Sequence, residues 1–132
     1  HPHILLAEDD AALRELLDFA LTRAGYLVTC CTNGLDLLER LEEGDPFDLI
    51  ISDLRMPALT GLEVLESQLD NRQRPPFICM TAFGDRETHD LAQRFGAATT
   101  IDKPFDLDEM IELVSATSLR NPLPAQSLRS RS

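Results

Sequence analysis

Lysine is almost missing from this chain. Lys103 is the one lysine, and the other eleven of the twelve basic residues are arginine. Because arginine fills the ordinary surface positions, the ammonium group at Lys103 indicates a role for a compact, strongly hydrated point charge. Such a charge suits approach to a phosphoryl oxygen or a carboxylate, and a solvated turn residue is the alternative interpretation.

The chain also lacks the patterns of a zinc site or of a serine or cysteine nucleophile. Cys30, Cys31 and Cys79 have no metal-ligand spacing, and they are predicted to be small buried hydrophobes of a reduced, cytoplasmic protein. Three histidines are too few for a zinc site without such cysteines, and none stands near a serine or cysteine nucleophile in the sequence. His89 lies alone in a helical pattern, where we expect a solvated side chain.

Long apolar runs and basic clusters are absent as well. No apolar run approaches the roughly 18 residues of a membrane span, and no export signal is found. The net charge is −11 and no local patch reverses it, so the domain is not expected to bind nucleic acid or anionic membrane directly. Neither G-x-x-x-x-G-K-[ST] nor G-x-G-x-x-G occurs, which argues against a nucleotide-cradling loop.

What the sequence does contain is a strict alternation of strand-length apolar runs and helical segments. ILLA at 4–7 is unbroken and apolar, as expected of a strand covered on both faces. Apolar residues from Leu13 to Ala24 then recur at helical spacing, and Gly25 is expected to end that helix. Further strands are predicted at 26–31, 48–53, 77–82 and 98–101, with helices after Asn33 as N-cap, from about Gly61 to Leu69, from about Asp85 to Phe95, and after Asp106 as N-cap.

Five strand–helix pairs predict an α/β fold with one open, doubly wound parallel sheet and helices on both faces. A closed eightfold barrel would need a much longer chain. We assign residues 1–117 to the folded domain and residues 118–132 to a linker or disordered C-terminal tail, since the last residues are rich in proline, serine and arginine without any period. In such sheets, ligands bind outside the carboxyl ends of the strands where the strand order reverses.

Polar residues from four distant segments fall at those strand ends. Each has a structural explanation when taken singly: Asp9 and Asp10 form a helix-capping pattern, and Thr81 suits a strand. Together they predict one crevice in which crowded carboxylates need a compensating cation. The predicted members are Glu8, Asp9 and Asp10 after the first strand, Asp53 after the third, Thr81 after the fourth and Lys103 after the fifth.

A hard divalent cation, Mg²⁺ or Mn²⁺, suits such a crevice, because it takes carboxylate oxygens and often a phosphate oxygen as ligands. Asp53 could then act as a nucleophile that accepts a phosphoryl group. Thr81 would donate a hydrogen bond to that group, and Lys103 would pair with another of its oxygens. This interpretation also explains the single lysine.

Five segments in this order and spacing resemble the receiver domain of two-component response regulators, over about residues 3–117. The resemblance implies a flavodoxin-like sheet of order 2-1-3-4-5 and a signalling module rather than a true enzyme. It also implies a phosphoryl group taken from a sensor histidine kinase or phosphotransfer protein, and an output domain or partner, with transcription regulation as the expected process. The segments are LLAEDD at 5–10, DLIISDLRMPALTGLEVL at 48–65, MTAFGD at 80–85, GA at 96–97 and DKPF at 102–105.

The resemblance further assigns roles to single residues. Asp53 becomes the phosphoacceptor, Thr81 the switch hydroxyl and Lys103 the phosphate-pairing amine. The metal ligands would be Asp10, Asp53 and the backbone carbonyl of Arg55, with Asp9 binding through water. Glu8 is interpreted as a charge at the helix entrance.

One position departs from many relatives, which carry Tyr or Phe three residues before the lysine. This chain has Thr100 there, so we expect a smaller side chain to carry less of the conformational signal. The resemblance also makes a homodimer through the fourth helix, fifth strand and fifth helix plausible.

Arg55 and Phe83, each two residues beyond a site residue, are expected to tune the lifetime of an acyl phosphate. Phe83 is expected to restrict the attacking water. Phe83→Ala should therefore speed dephosphorylation, and an unchanged phosphate half-life would count against this role.

Three other functions stay open from the sequence. A haloacid-dehalogenase-like phosphatase also uses an Asp nucleophile with Mg²⁺, but it usually has a second Asp two residues later, where this chain has Arg55. A receiver that has lost its chemistry and serves only protein contact is disfavoured by the intact Asp53, Thr81 and Lys103. A stand-alone single-domain regulator acting by protein contact is the third.

Overall fold

The computed structural model describes residues 2–82 and 85–120, with side chains described through residue 117. Strands and helices alternate along the chain, as the sequence predicts. The elements are β1 His3–Ala7, α1 Ala11–Arg23, β2 Leu27–Cys31, α2 Gly34–Glu42, β3 Leu49–Asp53, α3 Gly61–Ser67, β4 Phe77–Ala82, α4 Arg86–Arg94, β5 Thr99–Lys103 and α5 Leu107–Arg120.

The five strands form one parallel sheet in the order β2-β1-β3-β4-β5. The predicted doubly wound fold and its strand order are therefore confirmed. The chain winds outward in both directions from β1 and β3, so the strand order reverses between these two neighbours. Their carboxyl ends, at Ala7 and Asp53, form the crevice that such sheets use for ligands.

Helices cover both faces of the sheet, which explains the unbroken apolar strands. In β1, Leu5 and Ala7 pack with residues of α2, α3 and α4, whereas Ile4 and Leu6 pack with residues of α1 and α5. Each fully buried aliphatic side chain of this kind contributes about 1.5–3 kcal/mol to folding. The core therefore holds the strand ends in a defined register, and this register fixes the relative positions of the residues at those ends.

Two of the cysteines belong to this core, as predicted. Cys31 and Cys79 are buried, whereas Cys30 is partly exposed. Burial raises the pKa of Cys79 to about 12, and it also raises the pKa of Cys31 to about 12. Both thiols therefore stay protonated at neutral pH and behave as small apolar side chains.

Two helices begin at the caps that the sequence indicates. Asn33 caps α2 and accepts a hydrogen bond from the Asp36 N–H, and Asp10 caps α1 by accepting from the N–H groups of Ala12 and Leu13. Gly25 ends the turn after α1 with a φ of +103°, a conformation that favours glycine. No helix in the described part of the chain is long and apolar enough to cross a membrane.

The largest differences from the sequence prediction fall at three element ends. α3 stops at Ser67 rather than at Leu69, because the next two residues form tight turns with backbone bonds three residues back. β5 runs on to Lys103 instead of ending at Ile101, since it stays paired with β4 to its end. α5 continues to Arg120, so residues 118–120 are helical, while the predicted tail at 121–132 lies outside the described residues.

Candidate functional site

Lys103 bridges two carboxylates at the carboxyl edge of the sheet. Its Nζ donates to Glu8 Oε1 and to Asp53 Oδ2, each at 2.7 Å. Glu8 is fully buried and Asp53 is 8% exposed, whereas 27% of the Lys103 side chain is exposed. The ammonium group therefore reaches from the open side of the crevice toward two acids that water barely reaches.

The pKa values of this group reflect burial and pairing together. Burial raises the pKa of Glu8 above its ordinary value, although hydrogen bonds from Lys103 and from the Asp10 N–H act in the opposite direction. Burial also acts to lower the pKa of Lys103, but hydrogen bonds to Asp53 and Glu8 outweigh it and raise that pKa. Lys103 thus stays charged at neutral pH and compensates the acids.

Asp53 is held by its own strand end. Its Oδ1 accepts a hydrogen bond from the Arg55 N–H at 2.9 Å, and its backbone oxygen accepts one from Ser52 Oγ at 2.9 Å. A cavity of about 590 Å³ opens beside Asp53 and Lys103, and Leu13 and Phe105 form part of its apolar wall. The Lys103–Pro104 peptide bond at its edge is cis. The carboxylate is therefore oriented, and it lines a cavity large enough for a small ligand.

Among the described residues, three carboxylates could share one cation. Oxygen atoms of Glu8, Asp9 and Asp53 all lie within 4.8 Å of one another. Carboxylate oxygens with no nitrogen or sulfur ligand suit a hard ion such as Mg²⁺ or Mn²⁺. The residues present therefore fit the cation that the sequence implied.

Asp10 is placed differently from the other three acids. It is exposed, lines the cavity, and caps α1 through Oδ1, which accepts from Ala12 N–H at 3.0 Å. Glu8, interpreted from sequence as a charge at the helix entrance, instead lies fully buried against Lys103. The available signal was its position: it directly follows the unbroken apolar run of β1, so it extends the buried strand.

Thr81 lies at the end of β4 and is 2% exposed. Its hydroxyl donates to Asp102 Oδ1 at 2.7 Å, an acceptor that sequence reasoning did not single out.

Thr100 is within hydrogen-bond distance of His89 Nδ1, at 2.9 Å. The expectation that the His89 side chain is solvated is wrong, because the contact with Thr100 of β5 holds its imidazole ring in a partly buried position.

Arg55 lines the cavity, and its side chain forms an ion pair with a residue outside the acidic cluster. The guanidinium is exposed and pairs with Asp85, the N-cap of α4, at 2.7 Å. The hydrogen bond from Arg55 lowers the pKa of Asp85 below its ordinary value. This ion pair therefore links the loop after β3 to the start of α4, and Phe83 lies outside the described residues.

Comparison with known proteins identifies the family. The sequence model of the response regulator receiver domain family matches residues 4–115 of this chain. The transcriptional regulator NtrC of Escherichia coli K12 is 37% identical over 111 residues, which are 84% of this chain and 24% of that protein. FixJ of Bradyrhizobium diazoefficiens is 34% identical over 123 residues, or 93% of this chain and 59% of that protein.

Solved structures agree with this assignment. The Francisella response regulator 1452 receiver domain matches with a TM-score of 0.83 and 26% identity, covering 92% of this chain and 99% of that one. Full-length FixJ from B. japonicum matches with a TM-score of 0.83 and 33% identity over 96% of this chain and 61% of that one.

A doubly wound sheet with an acidic crevice and a bridging lysine defines a signalling domain of two-component systems. The chain belongs to the response regulator receiver domain family. It spans about a quarter of the length of NtrC and 59% of FixJ, both of which are transcriptional regulators by name.

Proposed function

We propose that this domain accepts a phosphoryl group on Asp53 in a Mg²⁺-dependent reaction and changes conformation as a result. The observation that carries the proposal is the Lys103 ammonium, which lies 2.7 Å from both Glu8 and Asp53 in a chain of this family. An ammonium group that bridges a buried acid and a reactive carboxylate can pair with a phosphoryl oxygen once that carboxylate carries a phosphoryl group. The module is thus a switch rather than an enzyme that turns over a substrate.

The residues of the crevice can take different roles in phosphoryl transfer. An Asp53 oxygen attacks phosphorus and forms the acyl phosphate, while the bond from phosphorus to the imidazole nitrogen of the donor histidine breaks and that nitrogen keeps the electron pair. Lys103 would exchange its Asp53 contact for a phosphoryl oxygen, and the Arg55 N–H would keep the carboxyl group in place. Stabilisation of this kind by positioned donors is the main catalytic term in phosphoryl transfer.

The cation would be held by Asp53 together with Glu8 and Asp9, with the Arg55 carbonyl as a further candidate. When bound, Mg²⁺ supplies neutralisation of charge on the transferring group. This set revises the sequence expectation, in which Asp10 was a direct ligand and Asp9 bound through water. Asp10 already serves α1 as its N-cap, and we propose that it contributes to the negative field of the cavity.

The partners follow from the family. We propose a cytoplasmic location for this domain and a sensor histidine kinase or phosphotransfer protein as its phosphodonor. We also propose an output domain or partner protein that acts in transcription regulation, as NtrC and FixJ do by name. The link between Thr100 and His89 joins β5 to α4. This face could therefore carry the conformational signal or a homodimer contact even without an aromatic ring at position 100.

Intact-mass measurement with Mg²⁺ and acetyl phosphate tests the proposal. We expect one phosphoryl adduct on the wild-type chain, none on Asp53→Asn, and none when EDTA replaces Mg²⁺. Asp45→Asn, which changes an exposed acid in the loop before β3, is the matched control and should leave the adduct unchanged. An adduct that persists in Asp53→Asn contradicts the assignment, and continuous release of phosphate without a stable adduct would favour the phosphatase alternative.

A further inference from the structure

The structure assigns to Asp102 the role of a positioning residue that holds the Thr81 hydroxyl in the resting state and thereby sets how readily Asp53 acquires a phosphoryl group. This inference rests on the proposed function, and it names a regulator of the same site. Thr81 Oγ1 lies 2.7 Å from Asp102 Oδ1. The contact joins the ends of β4 and β5, whose last residues, Ala82 and Lys103, line the cavity.

The register of the sheet makes this contact specific. Thr81 of β4 and Asp102 of β5 are directly paired partners at the carboxyl ends of parallel strands. Side chains of paired residues lie on the same face of the sheet. That face is the one covered by α4, because Cys79, two residues before Thr81, packs with Ala92 of that helix.

A hydroxyl group has one proton to donate. While the Thr81 hydroxyl donates this proton to Asp102 in a hydrogen bond, the proton is not available to a phosphoryl oxygen on Asp53. A carboxylate is also a stronger acceptor than a neutral oxygen, and Thr81 is 2% exposed, so water competes weakly for the hydroxyl. Formation of the phosphorylated state therefore includes transfer of this hydrogen bond from Asp102 to the phosphoryl group.

The position of Asp102 in the chain links this bond to the lysine. Asp102 directly precedes Lys103, whose Nζ contacts Asp53. The end of β5 thus presents an acceptor to Thr81 and a donor to Asp53 from adjacent residues. A movement of Lys103 toward a phosphoryl oxygen would shift the backbone that carries the Thr81 acceptor.

Removing the acceptor should favour the activated state. With Mg²⁺ and beryllium fluoride as a phosphoryl mimic, we expect Asp102→Ala to bind about fivefold more tightly than the wild type in calorimetric titration, the effect of one hydrogen bond. Asp102 is exposed, so the variant should fold. Asp102→Asn keeps an acceptor oxygen without the charge and should bind within about twofold of the wild type.

Two further arms separate the hydrogen bond from a general charge effect. In a Thr81→Val background, Asp102→Ala should give no additional gain, because the hydroxyl it would release is gone. Asp108→Asn removes an exposed acid of α5 and should leave the affinity unchanged. Equal gains in Asp102→Asn and Asp102→Ala, or a gain that survives in Thr81→Val, would overturn the inference.

The resting state gives a readout that does not need phosphoryl chemistry. Three-bond couplings to the Thr81 γ-methyl should report one χ1 rotamer in the wild type and rotamer averaging in Asp102→Ala. If the wild type binds no beryllium fluoride and takes no phosphoryl group, the proposed function fails, whatever the couplings show. If the wild type binds but both the couplings and the affinity are unchanged in Asp102→Ala, the role of Asp102 alone is wrong.

Discussion

Gly61→Ala is expected to lower the free energy of unfolding by about 3 kcal/mol and to slow phosphorylation of Asp53. A Cβ at Gly61 would overlap the backbone oxygen of Asp53 and come within 2.6 Å of Ser52 Oγ. Gly61 is the first residue of α3, whose buried side chains hold it against the sheet. Because neither backbone can yield without loss of packing, the end of β3 must shift, and Asp53 with it.

Gly44→Ala is the matched control for this substitution. Gly44 has a φ of +82°, and a Cβ there would meet no atom within 4 Å. The control should therefore cost about 1 kcal/mol through backbone strain alone and leave the acetyl phosphate reaction unchanged. Urea denaturation followed by circular dichroism measures the first quantity and intact mass the second. Equal losses of stability in the two variants would show that the contact with β3 does not matter.

The strands could be predicted from sequence because both faces of the sheet are covered. An apolar run without alternation is typical of that environment, and β4 begins and ends at the predicted residues, Phe77–Ala82. The order of the strands followed from the resemblance to receiver domains. The end of β5 was missed, because Asp102 and Lys103 are polar and their strand conformation depends on pairing with β4 rather than on apolar pattern.

The candidate site could be predicted only as a set of residues. That Asp53, Lys103 and the acids after β1 meet at one edge follows from parallel strands, and the structure places Asp53, Lys103 and Glu8 in direct contact. The different positions of Glu8, Asp9 and Asp10 could not be predicted from the sequence. In the run EDD, the buried acid Glu8 and the helix cap Asp10 are only two residues apart, and only the orientation of the chain leaving β1 decides which acid takes which place.

The hydrogen bonds of the two threonines were beyond sequence reasoning for a different reason. Thr81 meets a residue 21 positions away and Thr100 one 11 positions away. Neither Asp102 nor His89 has a local pattern that marks it as a partner. Contacts of this kind depend on strand register and on the rotation of α4, and both are set by packing of the whole core.

Lys103→Met is expected to destabilise the domain by about 2 kcal/mol in EDTA at neutral pH. The change leaves Glu8 fully buried beside Asp53 without the cation that compensates both. Loss of one partner of a fully buried pair costs about 3–5 kcal/mol, and the partial exposure of Lys103 reduces that figure. Since the pKa of Lys103 is raised above 10.5, its contribution is fully present below that pH and lost only above it, so the deficit should persist from about pH 7 to about pH 9.

Mg²⁺ should restore much of that stability, because a divalent cation among Glu8, Asp9 and Asp53 can replace the missing charge. It should not restore function: phosphorylation by acetyl phosphate is expected to stay about a hundredfold slower, since the oxygen that Lys103 would contact keeps no donor. Urea denaturation with EDTA or Mg²⁺, together with intact-mass time courses, separates the two effects. Arg72→Met, which removes an equal charge from the exposed loop before β4, should change neither quantity, and a Lys103→Met variant with wild-type stability in EDTA would contradict the role of the lysine as the compensating cation.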